Sequence, residues 1–118
     1  MYRIPKDLDL SKVIGEFATE IRVGQSDIQL ALGSVTFTIE SQVKLVRDGK
    51  VIGNWEFGKW PTEKFYEIMN VCVVKYEVPD ERTIIIVLEN NIEIHMHDDS
   101  DENECIQISI NGDAKWII

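Results

Sequence analysis

Apolar residues recur at every second position through most of this chain. Ile28, Leu30 and Leu32 are followed by Val35, Phe37 and Ile39. Ile84, Ile86 and Leu88 are followed by Ile92, Ile94 and Met96, and Ile106, Ile108 and Ile110 by Ala114, Trp116 and Ile118. A period of two places the apolar side chains of each run on one face of a strand. The runs are punctuated by Gly33-Ser34, Asp48-Gly49, Asn90-Asn91 and Asn111-Gly112, pairs that tolerate the positive φ of two-residue hairpins. The pattern therefore predicts antiparallel β structure. Two stretches break the alternation. Leu10, Val13, Ile14 and Phe17 recur at helical spacing, with Asp9 or Ser11 as cap and Gly15 as stop. Pro61 to Met69 places Phe65, Ile68 and Met69 on one helical face and ends at Asn70.

The two halves of the chain repeat this order. Ile14-Gly15-Glu16-Phe17 falls on Met69-Asn70-Val71-Cys72 at an offset of 55, and the alternation Phe17, Thr19, Ile21, Val23 falls on Cys72, Val74, Tyr76, Val78. Gly33-Ser34 matches Asn90-Asn91 at an offset of 57, and Asp48-Gly49 matches Asn111-Gly112 at 63. The last increase is close to the length of the acidic stretch 98–104, which reads as an insertion between two strands. The expected fold is α+β and mostly β: about ten strands in two similar five-strand units, each preceded by a short helix, forming an antiparallel sheet or a barrel. The expected organisation is a single domain over 1–118 with internal repeats at 8–57 and 62–118.

Size and charge narrow the function. A chain of 118 residues that is 44% hydrophobic and 28% charged can bury a core without disulfides or metal. No apolar run approaches a membrane span, and the start lacks the apolar stretch of a secretion signal, so the chain reads as cytoplasmic. Cys72 and Cys105 have no CxxC spacing and read as free thiols. Residues 1–60 hold eight Lys/Arg and eight Asp/Glu; residues 61–118 hold four and thirteen, so the second half carries the whole net charge of -9. That field disfavours nucleic acid and anionic membranes and favours a basic protein partner.

Four features carry candidate chemistry. Asp98, Asp99, Asp101, Glu102 and Glu104 crowd one connection and would steer a basic partner. An EF-hand is excluded there, because Glu104 stands where the loop needs glycine and Ile110 where it needs a bidentate Glu. Trp55 and Trp60 lie at the seam between the halves, either as a recognition hot spot or as a seal for the joint. Glu93, His95 and His97 alternate onto one face of a strand, an arrangement that suits a small ligand or a divalent metal. Ile84 to Leu88 is apolar on both faces, so Ile85 and Val87 are either covered by the helices or form a homodimer or partner contact. Nucleophile elbows, dinucleotide fingerprints and phosphate loops are absent from the sequence, which favours a binding domain without catalysis and without cofactor.

Through Ile14-Gly15-Glu16-Phe17, Ile28-x-Leu30-x-Leu32 and Glu104-x-Ile106-x-Ile108 before Asn111-Gly112, the chain resembles small bacterial β-rich domains of uncharacterised families. Some of these are encoded beside polymorphic toxins and regarded as immunity proteins. Where members place an aromatic after the late Glu, this chain has Cys105 and Ile106. The resemblance implies an immunity protein that blocks a basic toxin enzyme by steric occlusion; it transfers no functional residue.

Overall fold

The computed structural model describes residues 3–100 and 104–118. Ten strands form two five-stranded antiparallel sheets around one shared core, and the sheets do not close into a barrel. The strands are β1 (Ala18–Val23), β2 (Ile28–Leu32), β3 (Val35–Ile39), β4 (Gln42–Arg47), β5 (Lys50–Glu56), β6 (Val73–Asp80), β7 (Thr83–Leu88), β8 (Ile92–His97), β9 (Ile106–Ile110) and β10 (Asp113–Ile117). The first sheet runs β1-β2-β3-β9-β10 and the second β5-β4-β8-β7-β6. The alternating apolar residues meet between them. Leu30, Phe37 and Ile108 stand side by side across three strands of the first sheet, and Ile86, Ile94 and Leu45 across three strands of the second. All six side chains are fully buried.

The strand order has an internal twofold relation. Exchanging β1–β5 with β6–β10 turns the order of the first sheet into that of the second. Each half thus gives three strands to one sheet and a hairpin to the other. Local irregularities obey the same relation. β1 has a bulge between Ala18 and Glu20, and β6 has one between Val73 and Lys75, 55 residues later. Ile52 is the extra residue of β5 and Lys115 that of β10, 63 residues later. Where the halves meet, Phe17 bridges Cys72. Gly15 N donates to Val73 O and Asn70 N to Ala18 O, both at 2.8 Å, while Val73 N donates to Glu16 O and Ala18 N to Val71 O. A shift of 55 converts each of these bonds into another member of the set.

The turns follow the chemistry of their residues. Asp48-Gly49 and Asn111-Gly112 have positive φ at both positions and form two-residue hairpins. Gly33 alone has positive φ in its two-residue loop. The Asn90-Asn91 turn is instead a three-residue loop, Glu89 to Asn91, with Asn91 left-handed at φ 67°.

The bulges correct the expected phase of β1 and β6. One extra residue inverts the alternation, so Ala18 and Val73 enter the core while Phe17 and Val74 are exposed. Ile21, Val23 and Tyr76, beyond the bulges, pack against the core as expected. The expected helices are 3-10 segments, Ser11–Val13 and Glu63–Ile68. Each ends at a β-region residue one position before positive-φ Gly15 or Asn70, which leaves too few residues to repay α-helix nucleation. Leu10 occupies the N-cap position of the first, and Asp9 accepts a hydrogen bond from Ser11 N at 2.9 Å. Ile85 and Val87 are half-buried on the outer face of the second sheet, flanked by His95, Glu93, Glu77 and Lys75. The 3-10 segments pack mainly against β5 and β6 and do not form the expected helical cover.

Asn70 provides a test of the join between the halves, since its φ of 62° occupies the position that Gly15 fills at 88°. Asn70→Val should cost about 1–2 kcal/mol by urea unfolding, because a β-branched residue resists the left-handed region. Asn70→Gly should stay within a few tenths of a kcal/mol of the parent; equal losses for both would show that the Asn side chain, not the backbone angle, matters.

Candidate functional site

The two passages of the chain between sheets lie side by side. β3 crosses to β4 through Glu40-Ser41, and β8 crosses to β9 through residues 98–105. Glu40 N donates to Cys105 O at 2.8 Å, and Ser41 Oγ donates to His97 O. This brings Glu40, which belongs to no motif or charge run, beside Asp99 and Glu104; all three are exposed. Glu40, Asp99, Glu104 and Phe57 line one depression of about 450 Å³. Phe57 also lines a neighbouring depression of about 470 Å³ with Trp60 and the β1–β2 turn. The aromatic loop is held at its base: Asn54 N donates to Thr62 Oγ1 at 3.0 Å, and Thr62 N to Asn54 O at 3.2 Å. Beyond that clasp Phe57 is 60% exposed and Trp60 79%.

Two residues expected at this surface are not there. Asp98 is 0% exposed. Its Oδ1 accepts hydrogen bonds from Cys105 Sγ at 3.1 Å and from Ser100 N at 3.3 Å, and Arg3 Nη1 stands 3.8 Å from Oδ2. Its backbone is tied to Arg82 in both directions. Asp98 therefore anchors the second crossover. Trp55 is fully buried in the core, so of the paired tryptophans only Trp60 faces outward. Asp101 and Glu102 lie outside the described residues. Phe57 lies between Trp55 and Trp60 in the chain, and nothing in the alternation separates its environment from that of Trp55.

Glu93, His95 and His97 share the outer face of the second sheet, as the alternation requires. Glu93 Oε1 hydrogen-bonds His95 Nε2 at 2.8 Å, occupying the imidazole instead of converging with it on a common point. Among the described residues no group of three or more His, Cys, Asp or Glu side chains is arranged to hold a metal ion. His97 Nδ1 lies 3.2 Å from Thr83 Oγ1. Both imidazoles line a depression of about 310 Å³ with Gln42, Lys44 and Thr83.

The titrating groups divide in the same way. The Arg82 backbone N–H, above all, holds the Asp80 carboxyl below its ordinary range, aided by the Thr83 hydroxyl and His97. The Lys64 hydrogen bond does the same for Glu67. Burial, followed by the Asp98 carboxylate, pushes the Cys105 thiol up to about 11, which makes it a poor nucleophile at neutral pH. No helix among the described residues is long and apolar enough to cross a membrane.

Comparison with protein-family models, curated proteins and solved structures found no match.

Burial of Asp98 and Cys105 predicts two stability effects. Asp98→Ala should cost roughly 2–4 kcal/mol, because it strips the Ser100 N–H and the Cys105 thiol of their acceptor, whereas Asp99→Asn should change stability by less than about 0.5 kcal/mol. An unfolded thiol titrates near 9.0, while the folded Cys105 holds its proton to about 11. Between those values the folded chain carries the extra proton, so this contribution to stability falls as pH rises. Urea midpoints of the parent and Cys105→Ala should therefore converge from pH 9 toward pH 11; a constant gap would contradict the raised pKa.

Proposed function

We propose that this chain is a non-catalytic, acidic binding domain for a basic protein, acting as an immunity protein does when it occludes a toxin enzyme. The observation that supports this most is the juxtaposition of exposed Phe57 and Trp60 with Glu40, Asp99 and Glu104 at the crossover end. Large aromatics at the centre of a contact supply most of its energy when desolvated. Carboxylates at the rim orient and accelerate the approach of a cationic partner. The rest of the second half's negative charge adds to the same long-range field. The rigid base of the aromatic loop lowers the entropy lost on docking.

Two kinds of variant separate the two roles. A basic protein captured from native lysate at low salt should be lost by Phe57→Ala/Trp60→Ala. With the captured partner purified, that variant should raise the dissociation rate by about tenfold or more. Glu40→Gln/Asp99→Asn/Glu104→Gln should instead slow association and flatten its dependence on ionic strength. Association that ignores both salt and the carboxylate changes would remove the electrostatic mechanism. Capture that survives loss of both aromatics would place any partner elsewhere on the molecule.

A further inference from the structure

The outer face of the second sheet carries a feature that partner binding at the crossover end does not use. Gln42, His97 and Thr83 form one cross-strand row, with Glu56 and Asp80 at its two ends; Lys44, His95 and Ile85 form the next, ending at Glu77. The histidines, Gln42, Lys44 and Thr83 surround the depression of about 310 Å³. Hydrogen bonding defines the tautomer of a neutral His95. A carboxylate only accepts, so Glu93 Oε1 at 2.8 Å places the proton of His95 on Nε2 and leaves a lone pair on Nδ1. The Thr83 hydroxyl lies 3.2 Å from His97 Nδ1; when it accepts from that nitrogen, the lone pair of the ring stands on Nε2. Each ring thus has a hydrogen-bonding neighbour on one side, a carboxylate for His95 and a hydroxyl for His97. This is the outer support that orients metal-bound histidines and raises their basicity.

We propose that this depression binds a borderline divalent metal ion such as zinc or nickel through His95 Nδ1 and His97 Nε2, with the Gln42 amide oxygen as a third protein ligand. Glu93 and Thr83 are positioning residues in this arrangement. The assignment differs from a Glu93–His95–His97 triad in making the carboxylate a support and recruiting an amide from the adjacent strand. Two imidazoles select zinc, nickel or copper over calcium or magnesium. The ammonium of Lys44, exposed on the strand beside His95, opposes the cation and sets the affinity low.

Tag-free, chelator-stripped protein titrated with zinc chloride and nickel chloride in a calorimeter tests the site, with thermal melting as an independent readout. One equivalent should bind and raise the melting temperature in proportion to the logarithm of metal concentration. His95→Gln/His97→Gln, which keeps polar side chains on this face, should abolish binding. Glu93→Gln and Thr83→Val should each weaken it by about tenfold or more, and Gln42→Leu should weaken it without abolishing it. Lys44→Gln should tighten it, since removing a neighbouring positive charge favours the cation. Absence of binding at millimolar metal would overturn the proposal. So would binding that persists in the double-histidine variant, which would assign the metal to surface carboxylates. Weaker or unchanged binding in Lys44→Gln would overturn the placement of the ion beside that ammonium. None of these outcomes bears on docking at the crossover end, which is measured without added metal.

Discussion

Backbone pairing between the entry to β1 and the entry to β6 is the constraint on which the rest of the structure depends. Glu16, Phe17 and Ala18 run antiparallel to Val71, Cys72 and Val73, so each sheet is tied along one margin to the other. The join also secures the loops above it, because Gly33 N donates to Phe17 O and Glu89 N to Cys72 O. Two left-handed residues, Gly15 and Asn70, turn the chain into this pairing from a short 3-10 segment on either side. With one margin fixed, the alternating apolar residues of both sheets face a common interior, and hydrophobic burial does the rest.

The same framework presents two outer faces of different character. On the first sheet, Gln29, Thr38 and Gln107 form one cross-strand row and Ala31, Thr36 and Ser109 the next. The twofold relation sets these against Ile85, His95 and Lys44, and against Val87, Glu93 and Val46, on the second sheet. One face is uncharged and mostly polar on its central strands; the other holds both histidines, a cation and half-buried aliphatics. Central core positions vary in apolar size between the halves, as with Leu30 and Ile86 or Phe37 and Ile94. The interior constrains shape, and the outer rows and the crossovers are left to diverge. That is why the candidate chemistry lies on the second sheet and at the crossover end.

Much of the architecture was legible in the alternation and the turns. β2, β3, β7, β8 and β9 match their apolar runs, and Asp48-Gly49 and Asn111-Gly112 make the hairpins their residues demand. The phase of β1 and β6 was not legible, because a bulge adds one residue without changing composition, and Phe17 and Val74 read as inward on period alone. The second margin of the structure is open, which alternation cannot distinguish from a closed barrel. The candidate site was legible only in part. Asp99 and Glu104 are where a charged connection should be, but Asp98, in the same run, is drawn inside by the Cys105 thiol and the Ser100 amide. Glu40 could be found only by noticing that the two inter-sheet passages must be neighbours if the halves correspond. Trp55 and Trp60 look alike in sequence, but Trp55 belongs to β5, paired with Val43 and buried, whereas Trp60 lies past the end of that strand and is exposed.

Because each half lends its second hairpin to the sheet begun by the other, neither can enclose a dry interior by itself. β4 must find β8 and β9 must find β3, partners separated by roughly half the chain or more. Local hairpins therefore gain little until these distant strands meet, and loop closure is unfavourable before it is rewarded. Pairing of this kind makes folding cooperative, and the first sheet cannot be completed until β9 and β10, which follow all of the second sheet's strands in the chain, are available.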